Sequence, residues 1–477
     1  MKNKSVYLLL SIFLLSIIIH LKGINSPLLD FHSWRQTQTA MIARNYYRND
    51  FNFFNPKLDW YGQESNKRAG TEFPIFSFSI ALLYKVFGYH DVLGRYLAIF
   101  FSAISSVYFF LLLKKYFNLW QSYISAIIFI VIPINIYFTR TIQPESLMLF
   151  SIIAGLYHFV NYLENTDTKI HFILSLVFLT IAVLVKLPSI YILLPIIYLS
   201  YQKWGNKVFK RIDIWLFNIS LLICVGLWYA FTKSGKEVLP LNISDYLTML
   251  SVIKKPNFWA RLFFSRFIEL TTTYTGLIFF IIGLCLVILK NRQFLFGIWL
   301  LSVIIYSIFI GEYGYIHQYT VLPFAPINAV FIGSGITYIL GKYKNQKILR
   351  AFIILLVLTI PLHSILRISN WYKIEDKWLL KAKEDVEKIS KENDLFLCNT
   401  GIIPLQLYHI DRKGFSVDIR KTNLKEINDI IKKNISFFLT VKDNRWPEDN
   451  EIRRFIIKNY SVVCEDKDYI IFDLRKH

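Results

Sequence analysis

The sequence predicts an α-helical polytopic membrane protein of about eleven transmembrane helices, with interfacial helices in its first outer loop and a small C-terminal α/β domain. Three observations predict this. Hydrophobic residues make up 54% of the 477 positions and charged residues only 18%, too few to cover a soluble chain of this size. Largely apolar runs of about 18 residues or more recur along the chain. Beyond about residue 370 the pattern changes, and short β-type runs alternate with amphipathic helical ones.

The first span follows Lys2 and Lys4 as a nearly continuous apolar run to Gly23. No small-residue cleavage site ends it, so it reads as an uncleaved span rather than a signal peptide. The candidate spans are 5–23, 92–113, 119–138, 146–163, 171–187, 188–202, 213–232, 274–290, 294–310, 319–340 and 349–366. The pair around "VKLPSIYILLP" has almost no loop, because Pro188 falls between its members. Basic residues mark alternate connections: "KK" at 114–115, Lys169, "KWGNKVFKR" at 203–211, "KNR" at 290–292 and "KYKNQK" at 342–347. Under the positive-inside rule these are cytoplasmic. The N-terminus is then inside and the C-terminus outside, which requires an odd number of spans.

That topology gathers Ile24–Asp91, Thr139–Glu145, Lys186–Pro188, Lys233–Thr273, Gly311–Gln318 and the tail on the outer side. The domains read as 1–369, containing the long first loop 24–91, and 370–477. The net charge of +21 belongs to cytoplasmic loops rather than to a nucleic-acid surface. Cys224 and Cys285 fall in apolar spans and read as core; Cys398 and Cys464 in the outer tail are a candidate disulfide. No CxxC or HExxH motif and no internal repeat occurs.

The tail reads as a helix ("KAKEDVEKISKEND"), strands ("LFLC", "GFSV"), a helix ("LKEINDIIKK"), a strand ("ISFFLTV"), a helix ("NEIRRFIIKNY") and a strand ("YIIFDL"). It has no glycine-rich phosphate loop and is assigned no nucleotide.

Polar chemistry concentrates in "PLLDFHSWRQTQTAMIARNYY", Pro27–Tyr47. From Trp34 onward the spacing predicts a helix with Thr39, Ile42, Ala43, Tyr46 and Tyr47 on one apolar arc and Thr37, Arg44 and Arg48 opposite. Such a helix lies at the membrane interface. Arg35 falls beside the apolar arc and needs either an anionic partner or a lipid phosphate reached by snorkelling; Gln36 lies near Ala43. Asp30 and His32 precede the helix, as a cap, a turn or working groups. Asp59 and Glu72 are the acids singled out later in the loop, Glu72 where "EFPIF" returns to the membrane. Other outer connections place Arg140 and Glu145 ("RTIQPES"), Lys186 ("VKLP"), and His317 with Tyr319 ("HQYTVLP") at helix ends. Ionisable residues at membrane depth mark functional sites by default.

One chemistry fits acids and cations on one outer face. A sugar carried on a polyprenyl phosphate needs no nucleotide. A carboxylate takes the proton of the acceptor hydroxyl, and Arg or Lys stabilises the charge growing on the leaving phosphate. Direct attack with no enzyme nucleophile inverts the anomeric carbon in a single displacement. The order of "WRQTQTAMIARNYY", "EFP", "RTIQPES", "VKLP" and "HQYTVLP" resembles the polytopic glycosyltransferases of the GT-C fold over almost the whole chain. The nearest branch holds the dolichyl-phosphate-mannose protein mannosyltransferases and the bacterial aminoarabinose transferases of lipid A, with a family-39-like bacterial subgroup. The resemblance implies hexosyl or pentosyl transfer at the outer face of a bacterial cytoplasmic membrane. The acceptor it implies is a cell-surface glycan, lipid A or a protein, with no resident cofactor. In better-known members an Asp-Glu pair opens the interfacial helix; with "IAR" at Ile42–Arg44 held in register, Arg35 and Gln36 stand there instead.

The base is therefore sought first in Asp30, then in Glu72, which stands where relatives often have a basic residue; Glu145 resembles the family's second acid, and His32 joins the catalytic candidates. The resemblance assigns Arg35, Arg140, Lys186 and His317 to the lipid phosphate, with Gln36 and Tyr319 beside them and Asp59 toward sugar or acceptor. Asp30, His32, Glu72 and His317 are also metal-ligand types, but their spacing carries no metal signature and none is expected.

Three other readings compete. A lipid-linked-glycan transporter or flippase would show repeats with matching broken helices. An O-antigen ligase or polymerase would carry its large outer loop late in the chain. A membrane scaffold leaves the acids of the first loop unexplained.

Overall fold

The computed structural model describes residues 2–61, 69, 72–233, 250–290, 293–399, 401 and 404–475. Parts of three expected connections lie outside the described residues: 62–68, 70 and 71 of the first loop, 234–249 of the Lys233–Thr273 segment, and 291–292 of "KNR". The chain forms two compact units, one of Met1–Ile24, Val92–Phe231 and Leu241–Tyr372, the other of Asn25–Asp91, Thr232–Pro240 and Lys373–His477.

The first unit is helical throughout its described residues, and every expected span contains a helix. Five helices are individually long and apolar enough to cross a membrane: Val92–Leu113, Glu145–Glu164, Ile212–Thr232, Phe324–Lys342 and Lys347–Tyr372. Others are shorter, such as Leu119–Val131, Lys169–Val185 and Phe294–Phe309, so a count of eleven spans is not established. Prolines explain several breaks. Ile132 is extended ahead of Pro133 and divides the expected span 119–138 into Leu119–Val131 and Pro133–Phe138. Pro188 lies in a 3₁₀ turn, Leu187–Ile192, before the helix Leu193–Trp204. Pro256–Thr272 meets Tyr274–Ile288 at an 88° bend.

Burial is graded. Glu145–Glu164 is 89% enclosed, whereas Lys347–Tyr372 is only 17% enclosed. The outward faces carry Trp215, Leu222, Leu227, Leu355, Leu358 and Leu366, an apolar surface that lipid can solvate and water cannot. Cys224 and Cys285, expected in the core, lie on exposed positions.

Without a hydrophobic drive between helices in lipid, small residues set how closely they pack. A Cβ on Gly283 would sit 1.8 Å from the Phe331 carbonyl oxygen, and one on Gly335 would sit 2.1 Å from that of Phe279. Both contacts are with backbone, so Tyr274–Ile288 and Phe324–Lys342 meet main chain to main chain.

The second unit contains a five-stranded sheet: β1 Leu395–Asn399, β2 Lys413–Val417, β3 Ile435–Val441, β4 Ser461–Glu465 and β5 Tyr469–Asp473, in the order β2-β1-β3-β5-β4. β1 pairs in parallel with β2 and β3; β5 is antiparallel to β3 and β4. Helices Trp378–Ile389, Leu424–Ile431 and Glu451–Asn459 alternate with the strands as expected. The core holds Leu397, Phe438, Trp446, Ile456 and Phe472. Two elements escaped sequence reading: the short helix Leu405–His409, and β4, an exposed edge strand without a clean alternation. Cys398 and Cys464 do not pair. They stand on β1 and β4 with β3 and β5 between, and strands about 4.8 Å apart hold them far beyond bridging distance.

This unit also contains the loop Asn25–Asp91. Trp60 forms a parallel bridge with Gly414 of β2, using Gly414 N–H to Asp59 O (2.9 Å) and Tyr61 N–H to Gly414 O (2.7 Å). The loop thereby covers one edge of the sheet.

Replacing Gly335 with Leu should lower the melting temperature in detergent and cost at least the roughly 1–3 kcal/mol of an overpacked core. An unchanged melting temperature would contradict the main-chain contact.

Candidate functional site

In the second unit the helix Ser33–Arg48 carries most of the candidates. It opens at His32, held in the left-handed region (φ 59°), with no side-chain cap. Asp30 is buried and accepts a hydrogen bond from Gln36 Nε2 at 2.6 Å, so it tethers the entry turn to the helix's first turn rather than capping it. The His32 ring packs edge-on against Phe31, centroids 4.5 Å apart, and near Trp34.

Arg35 forms an ion pair with Glu72 and donates to Gln38 Oε1 at 2.8 Å. Its anion comes from the same loop. The expectation of a polar side facing away is corrected here, because Arg35 through Tyr46 are all buried. Thr37 is fully buried and returns its hydroxyl to the Ser33 carbonyl (2.9 Å). Arg44, expected on that polar side, is enclosed by Asp59 (2.9 Å), Asp411 (3.0 Å) and the Tyr408 carbonyl (3.0 Å), with the Tyr408 ring 4.4 Å away. Periodicity shows which residues share a face, but not whether a second layer covers that face. Asp59 is thus tied to Arg44 and to the sheet edge. Only Arg48 reaches the surface, in a two-point contact with Asp411 at 2.7 and 2.9 Å.

Acid-sensitive groups meet on the same segment. Burial draws His409 down to about 4, against the opposing pull of its bond to the Leu28 carbonyl (3.2 Å). Burial tends to raise the Asp411 carboxyl, but its bonds and charges from Arg48 and Arg44 hold it below the usual range.

In the first unit Glu145 is the first residue of Glu145–Glu164 and is buried. Lys186 Nζ lies 2.9 Å from its Oε1, while Oε2 has no hydrogen-bond partner among the described residues. A carboxylate at a helix N-terminus also gains from the helix dipole. The Lys186 ammonium lies 5.4 Å from the Tyr319 ring centroid, and His317 stacks on Tyr319 at 5.3 Å. Glu145, Lys186, Tyr319 and His317 therefore form one chain of contacts. Arg140 donates to the Lys22 carbonyl (3.0 Å) and the Gly23 carbonyl (3.2 Å), with its guanidinium over Tyr372.

Sequence reading missed Arg95, which donates from inside Val92–Leu113 to the Gly23 and Ile24 carbonyls at 2.7 and 3.0 Å. It also missed His20, whose ring reaches Thr139 Oγ1 at 2.8 Å. Both are ionisable residues within or ending apolar helices, the signal that should have found them. No group of three or more His, Cys, Asp or Glu is placed to hold a metal ion among the described residues.

Residues 71–229 match the family described as dolichyl-phosphate-mannose-protein mannosyltransferase. No curated protein matches the sequence. ArnT from Cupriavidus metallidurans in the apo state superposes with a TM-score of 0.66 at 8% identity, covering 99% of this chain and 98% of that one. ArnT bound to undecaprenyl phosphate gives 0.61 at 9% identity, over 100% and 99%. The apo oligosaccharyltransferase of Archaeoglobus fulgidus gives 0.62 at 12%, covering 92% of this chain and 69% of that one. The fold of this chain is the GT-C polytopic membrane fold.

Acid should loosen the Leu405–Arg412 segment in two stages. A histidine with a lowered pKa contributes stability that is whole above its unfolded value near 6.5 and is lost as pH falls toward about 4. Asp411 contributes above about 4, and that contribution is lost below it. Amide exchange over 405–417, corrected for intrinsic rates, should be about tenfold faster at pH 5 than at pH 7.5. His409→Gln should remove that difference, and equal protection at both pH values would refute the assignment.

Proposed function

We propose that this protein transfers a sugar from a polyprenyl-phosphate carrier to an extracytoplasmic acceptor by an inverting single displacement. The observation that carries the reading is the hydrogen bond from Gln36 to a buried Asp30. Gln36 stands where the resembled families carry an acid, and the fold brings the Asp30 carboxylate to that position from the entry turn. The GT-C fold, the match over 71–229 and an ArnT structure that binds undecaprenyl phosphate support the donor class.

In the proposed reaction Asp30 accepts the proton of the attacking hydroxyl, oriented by Gln36. The bond from the anomeric carbon to the phosphate oxygen breaks as the new glycosidic bond forms. Lys186 is the first choice for the leaving phosphate, since its ammonium is partly exposed beside Glu145 and carries the positive charge a leaving phosphate needs. His317 and Tyr319 extend that contact chain. Arg35, paired with Glu72, holds the helix entry, which makes Glu72 a counter-ion before it is a base. The protein is proposed to lie in a bacterial cytoplasmic membrane with its C-terminal domain outside. A glycan, lipid A or a protein receives a hexose or pentose.

The test uses purified protein in detergent with radiolabelled polyprenyl-phosphate sugars. Wild type should release or transfer sugar, and Asp30→Asn should lose at least a hundredfold in kcat with little change in KM, as expected for a missing base. Full activity in a folded Asp30→Asn variant would move the base elsewhere. No turnover of any donor, with labelled lipid carried across vesicles instead, would replace the reading with transport.

A further inference from the structure

The turn Thr139–Pro144 in the first unit contains polar groups that the Glu145–Lys186 pair does not use. Gln143 is fully buried, yet neither its Oε1 nor its Nε2 has a hydrogen-bond partner among the described residues. Its backbone is fixed, with Gln143 N–H donating to the Thr141 carbonyl at 2.7 Å. The buried hydroxyls of Ser146, next to Glu145, and of Ser189, three residues past Lys186, are equally unpartnered. So is Glu145 Oε2.

Each orphaned buried donor or acceptor costs about 1–3 kcal/mol. An apolar residue of similar size would remove that cost at position 143, so the amide is retained against stability. The kind of partner follows from hydrogen-bond inventory. A fully ionised phosphate only accepts and would answer Nε2 alone. A lipid tail would answer neither atom. A hydroxyl both donates and accepts, and adjacent hydroxyls on one ring can meet both ends of an amide.

We infer that Gln143, with the Ser146 and Ser189 hydroxyls, recognises the hydroxylated ring of the sugar beside Glu145 and Lys186, and so decides which sugar the donor lipid carries. This rests on the proposed glycosyl transfer and adds a specificity residue to it. A buried amide left unanswered by a deoxy sugar discriminates against it, whereas an apolar pocket tolerates the change.

The experiment compares wild type with Gln143→Leu and Gln143→Glu in detergent. Labelled undecaprenyl phosphate is displaced by unlabelled undecaprenyl phosphate and by a panel of undecaprenyl-phosphate hexoses and pentoses, with turnover of each donor recorded. In wild type, at least one sugar-bearing lipid should bind tenfold or more tighter than the sugar-free lipid. Gln143→Leu should lose that preference while retaining its affinity for undecaprenyl phosphate, and its melting temperature should equal or exceed that of wild type. Gln143→Glu, which accepts but no longer donates, should reorder the panel. A preference kept intact in Gln143→Leu, or an equal loss for both lipids with a lower melting temperature, would overturn this inference and leave glycosyl transfer standing. If wild type neither prefers nor turns over any sugar-bearing lipid, both readings fall.

Discussion

The enclosed Arg44 guanidinium holds the second unit together. A cation removed from water requires opposing charge and hydrogen bonds together, and here each comes from a different part of the sequence. Asp59 arrives from the segment Asn25–Asp91, and Asp411 with the Tyr408 carbonyl from the C-terminal part of the chain. Removing one partner of such a buried pair costs about 3–5 kcal/mol, since the remaining charge stays buried. The helix Ser33–Arg48 is consequently fixed from both sides, and the Asp30–Gln36 and Arg35–Glu72 contacts at its entry inherit that rigidity. Loop chemistry here rests on a tertiary joint rather than on the helix's own propensity.

Buried guanidiniums in the first unit draw on main-chain carbonyls. Arg95 and Arg140 are buried among apolar helices and both donate to carbonyls of the turn that ends the first helix, Lys22–Ile24. Carbonyls at a helix C-terminus carry partial negative charge and lack intrahelical partners, so two guanidiniums and one frayed end satisfy each other. The tyrosine faces of Tyr137 and Tyr372 add cation–π contact to Arg140. Arg140 thus has main-chain and aromatic partners at the end of the first helix, while Lys186 has an acid partner with an unanswered oxygen.

Much of this was legible in the sequence. Runs of apolar residues report their own solvent, so each expected span proved to hold a helix. Proline positions 133 and 188 explain helix breaks that hydropathy alone smooths over. The tail's helices and most strands followed from their periods, but β4 did not, because an edge strand exposed on both faces has no alternation to read. Among the candidates, the pairing of Arg35 with Glu72 and of Glu145 with Lys186 was not readable. Each partner was singled out alone, across separations of 37 and 41 positions that no local period connects. The burial of Arg44 was misjudged for a related reason: its covering layer comes from residue 411, far along the chain.

The buried acids differ in how fully their surroundings answer them, and that difference separates scaffold from candidate chemistry. Asp59 has an arginine on its carboxylate and a sheet-edge bond on its main chain, so removing its side chain would leave the Arg44 guanidinium short of a partner and loosen the joint. Glu145 has one lysine contact and an open oxygen in the most enclosed long helix, where an unsatisfied carboxylate is costly. Asp30 accepts the Gln36 amide at 2.6 Å, a bond that orients its carboxylate. A general base must be held in place and still be free to gain a proton, and a neutral donor provides the first without opposing the second. On the proposed reading, the amide at position 36 orients an acid that lies outside the helix, and an apolar residue there would leave that acid unoriented.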